Sequence, residues 1–300
     1  MPELPDITVY LDALERRVRG KVLRAMHFNS PFLLRSVTVP PDSLVGQTVT
    51  GCERFGKRIV LQFDGDIWFV LHLMIAGRLH WRDASTHRPG KSALLWMAFD
   101  SGVLWLTEAG SKKRASLHLC TADELDQHRR GGLEPLEISL KDFSHRLQQK
   151  NHTLKRALTD PNILSGIGNA YSDEILHNAG LSPVALTHSL DDAAIEKLFH
   201  ACQHILRHWT EQLRLDVGDG FPEKVTAFRE DMAVHGRYGK PCPVCETAVQ
   251  RIRYASNETN YCPRCQTDGK LLADRSLSRL LKRDWPKTVD ELERRAEKSS

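Results

Sequence analysis

The chain has 300 residues, 41% hydrophobic and 27% charged, a composition that supports two or three folded modules and excludes a disordered chain. Its longest apolar run, 67–77, is too short for a membrane span and carries His72, and the acidic start Met1-Pro2-Glu3-Leu4-Pro5-Asp6 lacks the basic region of a secretion signal. The net charge is a modest +4, and seven cysteines, an odd number with four of them in two Cys-x-x-Cys pairs, point to a reduced, cytoplasmic protein with a bound metal rather than a disulfide framework.

Ile7, Tyr10, Leu11, Leu14 and Val18 recur at helical spacing, so a first helix is expected with Asp6 as its N-cap and Gly20 as its stop. From Lys21 to about Leu119 the pattern turns to short β-rich runs at 57–63, 67–73, 93–99 and 103–107. Asp64-Gly65-Asp66 and Asp100-Ser101-Gly102 supply tight turns between them. Such runs predict an antiparallel sandwich or barrel. Gly131-Gly132 and Pro135 mark a linker, and helical patterns follow at 141–149, 153–159, 172–179 and 191–214.

Cys242-Pro243-Val244-Cys245 and Cys262-Pro263-Arg264-Cys265 are separated by a spacer long enough for a hairpin. Two Cys-x-x-Cys pairs converging on one ion complete a tetrahedral shell, so one structural Zn2+ is expected on Cys242, Cys245, Cys262 and Cys265. A shell filled by protein leaves no position for a water nucleophile, which assigns the metal to structure and not to chemistry. Cys52, Cys120 and Cys202 stand alone and read as ordinary thiols. Between 229 and 283 eleven basic residues face six acidic ones, which leaves the rest of the chain close to neutral. A basic stretch around a cysteine cluster suits an anionic partner, nucleic acid first, although a solvated basic surface fits the charge equally well. Arg251 lies in the finger hairpin, where basic and apolar residues alternate as they would along a phosphate backbone.

Pro2 follows Met1 directly. Removal of the initiator would leave a secondary amine beside the Glu3 carboxyl, a pair able to attack an aldehyde-like carbon and move the accompanying proton. A plain N-terminal stub before a helix fits the same residues. In Ser165-Gly166-Ile167-Gly168-Asn169-Ala170-Tyr171 a glycine-rich turn precedes an amphipathic helix. Its backbone N–H groups, with the Asn169 amide, suit phosphate oxygens, and the same glycines suit a tight interhelical corner.

Taken together and in this order, Pro2-Glu3-Leu4-Pro5-Asp6, Gly56-Lys57-Arg58, His72-Leu73 with Gly77, Gly166 to Tyr171 and the four terminal cysteines resemble the formamidopyrimidine-DNA glycosylase and endonuclease VIII family of base-excision repair enzymes. The resemblance covers about residues 2–268. It implies an α+β, multi-domain fold: an N-terminal helix plus antiparallel β-sandwich (1–130), a helix–two-turn–helix DNA-binding domain (131–234), a four-cysteine zinc finger (235–270) and a C-terminal extension (271–300). The implied activity is a bifunctional glycosylase and abasic-site lyase acting on double-stranded DNA as a monomer. The Pro2 amine attacks the sugar C1′ of a flipped nucleotide, Glu3 protonates the ring oxygen, and β-elimination cuts the strand with no cofactor in the chemical step. Lys57 matches a phosphate-contacting lysine with a proton-donor role. Asn169, after Gly168, matches the asparagine that binds backbone beside the lesion, and Lys155 resembles a further phosphate contact. Leu4 resembles the branch acting on oxidised purines such as formamidopyrimidine and 8-oxoguanine.

The chain also departs from the family pattern. The apolar wedge position holds Ile75, with Met74 shifted by one, and either can fill the space left by a flipped base. The family's Arg-Arg-Phe loop is replaced by Lys112-Lys113-Arg114. The arginine usual in the finger hairpin is Asn257, which brings no charge and predicts products that stop at β-elimination. A non-catalytic zinc-finger protein that binds damaged or abasic DNA is the alternative from another class, and an RNA-binding zinc ribbon is a third reading. Beyond Gly269, 275–285 is expected as a basic amphipathic helix ended by Pro286, followed by a solvated helix or frayed tail from Asp290.

Overall fold

The computed structural model describes the chain except for residues 86–89, 91, 224, 226–228, 255–256, 274–279, 281–283 and 298–300, and the side chains of 254, 257, 296 and 297. Helix α1 (Leu4–Val18) buries Leu4, Ile7, Tyr10, Leu14 and Val18, the face its periodicity demands. Its start differs from the expectation. Glu3, not Asp6, is the N-cap, and Asp6 sits three residues on as the partner of a capping box, its carboxylate accepting the Glu3 backbone N–H at 2.8 Å. Pro5 explains the shift: it lacks an N–H and fits only the first helical turn, so the helix must begin before it.

Eight strands follow, β1 (Leu23–Phe28), β2 (Val49–Phe55), β3 (Arg58–Phe63), β4 (Ile67–His72), β5 (Gly77–Arg82), β6 (Ala93–Phe99), β7 (Gly102–Glu108) and β8 (Ser116–Thr121). They form two antiparallel sheets ordered β1-β6-β7-β5 and β2-β3-β4-β8. Leu23, Leu61, Phe63, Phe69, Leu71, Met97, Leu104, Leu106 and Leu119 join Tyr10 and Leu14 of α1 in one apolar core. The four runs expected from sequence are β3, β4, β6 and β7, the central strands of the two sheets. The four strands without a sequence signal are the edges. Central strands bury both faces and read as continuous apolar runs, whereas β1 and β2 are half exposed and read as mixed loops.

After a short helix α2 (Ala122–Leu125), the helical region contains α3 (Leu140–Gln148), α4 (Leu154–Thr159), α5 (Asn169–Asn178) and α6 (Asp192–Val217). Ser139 and Thr153 cap α3 and α4 through their hydroxyls. The finger is the hairpin of β9 (Gln250–Tyr254) and β10 (Asn257–Tyr261), followed by α7 (Pro263–Thr267). The expected helix over 275–285 lies largely outside the described residues, and α8 (Val289–Glu297) forms most of the charged end.

The chain divides into two compact units, Met1–Gly132 with Arg207–Ala227, and Leu133–Leu206 with Phe228–Ser300. The first unit therefore takes in a stretch that the expected boundaries, 131–234, assign to the helical domain. Its side chains account for this: Arg214 Nε donates to Asp12 Oδ2 of α1 at 2.8 Å, and the Phe221 ring lies 5.8 Å from that of Tyr10.

Candidate active site and nucleic-acid interface

In the first unit the start of α1 places Pro2 and Glu3 in a buried position, with Glu3 only 2% exposed. Lys57 sits in the turn joining β2 to β3, where Gly56 takes a positive φ of 61°. Lys57 and Arg78 both act on the chain's amino group. Burial is the main cause that brings this amine below the usual α-amino value; Arg78 and Lys57 push the same way, and Glu3 and Asp6 oppose them. That amine is carried by Met1; a chain starting at Pro2 would put a secondary amine beside the same buried Glu3 carboxyl, and the lone pair of its neutral form is what a nucleophile needs. Arg78 was not among the sequence candidates, because nothing local distinguishes it from the other arginines of the strands.

Between β4 and β5 the chain turns tightly. Gly77 N–H donates to Leu73 O at 2.9 Å, and a Cβ on Gly77 would lie 2.3 Å from that oxygen, so only glycine fits. Met74 adopts φ 53°, and its N–H donates to His72 Nδ1 at 3.0 Å. The turn leaves Ile75 59% exposed, with Met74 half-buried beside it. Lys112, Lys113 and Arg114 form an exposed loop organised by a carboxylate that sequence reading passed over. Buried Glu108 accepts the backbone N–H groups of Arg114 at 2.9 Å and Ala115 at 3.0 Å, while Lys113 Nζ folds back onto Gly110 O at 2.8 Å.

In the second unit Gly168 is the N-cap of α5, and Asn169 turns its side-chain Nδ2 to Glu258 O of β10 at 2.8 Å. Lys155 Nζ donates to Asn169 O at 2.7 Å and to Asp173 Oδ1 at 2.5 Å. Asp173 is fully buried at its side chain. Its other oxygen pairs with His235 Nδ1 at 2.7 Å and accepts the Asn260 N–H at 3.2 Å. The next residue, Glu174, accepts the backbone N–H groups of Ala233, Val234 and His235 at 2.7–2.9 Å. Adjacent acids on α5 thus hold the entry to the finger. Asp173 and His235 were invisible to the sequence reading because their partners lie 62 residues apart.

The four finger cysteines bring their Sγ atoms within 4.8 Å of one another. Cys242 and Cys265 are 3.9 Å apart, Cys245 and Cys262 3.3 Å, and Cys265 and Cys245 3.5 Å, with no disulfide. Four sulfurs at about 2.3 Å from a tetrahedral Zn2+ are about 3.8 Å apart, so the cluster fits zinc. Burial pushes the Cys262 thiol up to about 12, and four thiolates coexist there only around a cation. His177 Nε2 lies 3.3 Å from Cys242 Sγ. Arg251 pairs with Glu258 at 3.1 Å and stacks on Tyr238, its Cζ 4.1 Å from the ring centroid. Asn257 opposes Tyr254 in the hairpin register; its side chain lies outside the described residues.

Three family models match in order: the formamidopyrimidine-DNA glycosylase N-terminal domain over residues 1–111, its H2TH domain over 132–214, and the zinc finger found in FPG and IleRS over 239–267. A formamidopyrimidine-DNA glycosylase of Heliobacterium modesticaldum is 32% identical over 279 residues, which cover 89% of this chain and all of the relative. An uncharacterized formamidopyrimidine-DNA glycosylase-like protein of Mycobacterium tuberculosis is 41% identical over 156 residues, 52% of this chain and 97% of the relative. Among solved structures, a complex of the Lactococcus lactis enzyme with abasic-site DNA aligns at TM-score 0.77 and 25% identity, covering 88% of this chain and 99% of that one. Another of the same enzyme with Fapy-dG-containing DNA aligns at 0.76 and 24%, covering 88% and 100%. Helix, sandwich, helical domain and four-cysteine finger occur in the order those models require, and the chain belongs to the formamidopyrimidine-DNA glycosylase family.

Proposed function

We propose that this DNA glycosylase is bifunctional, excising oxidised bases and then cutting the strand at the abasic site. The observation that carries this reading is the buried start of α1, which sets Pro2 next to the buried Glu3 carboxyl. Once Met1 is removed, the Pro2 nitrogen donates its lone pair to C1′ of the flipped nucleotide and the bond to the base breaks. Glu3 gives a proton to the sugar ring oxygen, the ring opens and an iminium remains. Loss of a C2′ proton then expels the 3′ phosphate, which is β-elimination. Lys57, beside the amine, holds phosphate and shuttles a proton.

Ile75 and Met74 enter the space left by the flipped base. Lys112, Lys113 and Arg114 reach the strands, and Gly168, Asn169 and Arg251 hold backbone phosphates. Lys155 orders Asn169 by its two internal bonds. Zinc on Cys242, Cys245, Cys262 and Cys265 supplies folding free energy to the finger, and no cofactor enters the reaction. Leu4 favours oxidised purines, and the partner is double-stranded DNA bound by a monomer in the cytoplasm. No helix among the described residues is long and apolar enough to cross a membrane.

Borohydride trapping tests the reading: methionine-processed protein becomes covalently linked to lesion or abasic DNA, and Pro2→Gly with a blocked terminus does not. Absence of any adduct would leave only a DNA-binding protein. With Asn257 in place of arginine, sequencing gels should read a β-elimination end, and a predominant 3′-phosphate would contradict that assignment.

A further inference from the structure

A second group of titratable side chains lies in the first unit, and the chemistry above does not use it. Arg58 of β3 pairs across the sheet with His72 of β4. Val70, two residues back on β4, pairs with His118 of β8. A period of two puts Arg58, His72 and His118 on one face. The opposite end of that face is apolar, with Val60, Trp68, Val70 and Cys120 packed under Leu125 of α2. After α2 the chain returns so that the His128 ring lies 4.6 Å from that of His118, fixed by Arg58 Nη1 donating to His128 O at 2.9 Å. Arg130 is exposed.

The charges on this face are mainly positive. Arg58, Arg35 and His128 face His118. His118, Arg58, Arg130 and Glu124 face His128. Arg58, Lys57 and Arg130 face His72. Two acids share the face: Glu124, whose carboxylate accepts the Thr38 hydroxyl at 3.0 Å, and Glu53 of β2, which pairs with Arg129 at 3.7 Å. Arg129 also meets Asp126 at 3.5 Å and stacks over Phe55. These acids are already engaged, and Arg58, His118, His128 and Arg130 keep an excess of positive charge. Burial is the first cause that lowers all three histidines, with the neighbouring cations adding to it, and His72 and His128 fall to about 4. Three histidines alone would suit a metal, but guanidinium groups repel one. Among the described residues the only converging ligand set is the finger's four cysteines. Forked N–H donors beside imidazoles that gain a proton when an anion arrives suit an oxyanion.

We propose that Arg58, His118, His128 and Arg130 form a site for a backbone phosphate of the bound DNA strand, and that the histidine pair takes up a proton as the phosphate enters. This rests on the DNA-repair reading above. Filling the site cancels the repulsion among its cations, so binding and protonation reinforce one another.

The full-length, zinc-loaded protein is titrated with duplex DNA carrying a tetrahydrofuran abasic analogue, at constant ionic strength. Binding should be about threefold to tenfold tighter at about pH 6 than at about pH 8, with close to one proton absorbed per complex by calorimetry in buffers of different ionisation enthalpy. The His118→Gln/His128→Gln double variant should reduce that pH effect to below about twofold. Arg130→Gln, an exposed change that leaves the fold alone, should lower the slope of log affinity against log salt by about 0.9 while keeping the proton uptake. Equal pH dependence in wild type and double variant, or no proton uptake by wild type, overturns the proposal. Wild-type borohydride trapping runs in parallel: failure to trap removes the lyase reading and leaves the proton-linkage result to be judged alone.

Discussion

Two basic regions of this molecule use their cations in opposite ways. Around Asp173 in the helical unit, the Lys155 ammonium is saturated by a carboxylate and a carbonyl, and His235 takes the other carboxylate oxygen. On the sandwich, Arg58, His118, His128 and Arg130 face one another, and the nearby acids Glu124 and Glu53 are engaged by Thr38 and Arg129. A cation that already has its counter-charge holds architecture, because breaking the pair leaves a buried ion. A cation without one costs free energy in the isolated protein and recovers it when an anion binds. Both regions hold basic side chains, and partnering separates their roles.

The largest expected effect comes from removing zinc, which supports the paired region. Chelation should unfold the finger and with it β10, whose Glu258 carbonyl anchors Asn169. Lesion-DNA affinity should fall by about 100-fold or more, in line with a structural zinc contribution of about 10 kcal/mol. An anisotropy titration before and after chelation, with zinc added back, checks this; undiminished binding by the stripped protein would detach the finger from recognition. Next comes Asp173→Ala, which leaves Lys155 and His235 buried without their carboxylate. The loss in denaturant unfolding should be about 3–5 kcal/mol. A loss below about 1 kcal/mol, the range of exposed ion pairs, would place this network with surface contacts and end the contrast.

The sequence disclosed what is built locally. Cys-x-x-Cys is readable because two ligands of one ion must come from one short turn, and the central strands β3, β4, β6 and β7 are readable because both faces are apolar. The edge strands carried no such signal. Asp6 looked like a cap because acids commonly start helices, yet Pro5 moved the start to Glu3. The partners that define function were hardest to see. His118 and His128 are ten residues apart and meet only because α2 reverses the chain, and Asp173 meets His235 through the tertiary fold. Neither pairing has a period.

Salt dependence sharpens the comparison with a smaller effect. Lys155→Met should leave the slope of log affinity against log salt unchanged, since its ammonium is already satisfied inside the protein, while lowering the affinity at every salt concentration by loosening Asn169. Arg130→Gln should reduce that slope by about 0.9, the loss of one phosphate contact. A drop of about 0.9 in the Lys155 variant would move that lysine from the paired class to the DNA-contacting one.

The smallest effect is on stability, and acid reveals it. His72 and His128 titrate at about 4 in the folded protein, against about 6.5 when unfolded. Between these values the unfolded chain binds more protons, so stability is fully present above about pH 6.5 and is lost as pH falls towards 4. His128 is partly open to solvent, which screens its share, so the loss between about pH 7 and pH 5 should be about 1–2 kcal/mol. The His118→Gln/His128→Gln variant should lose less over that range, because of the three histidines on this face only His72 then remains to be protonated. Adding duplex DNA should remove the wild-type loss by supplying the anion that the cations lack. Denaturation curves at the two pH values, with and without DNA, compare these slopes directly. Parallel acid sensitivity in both proteins would mean that the histidine pair is no more strained than an ordinary surface pair, and that the unbalanced face is merely a solvated one.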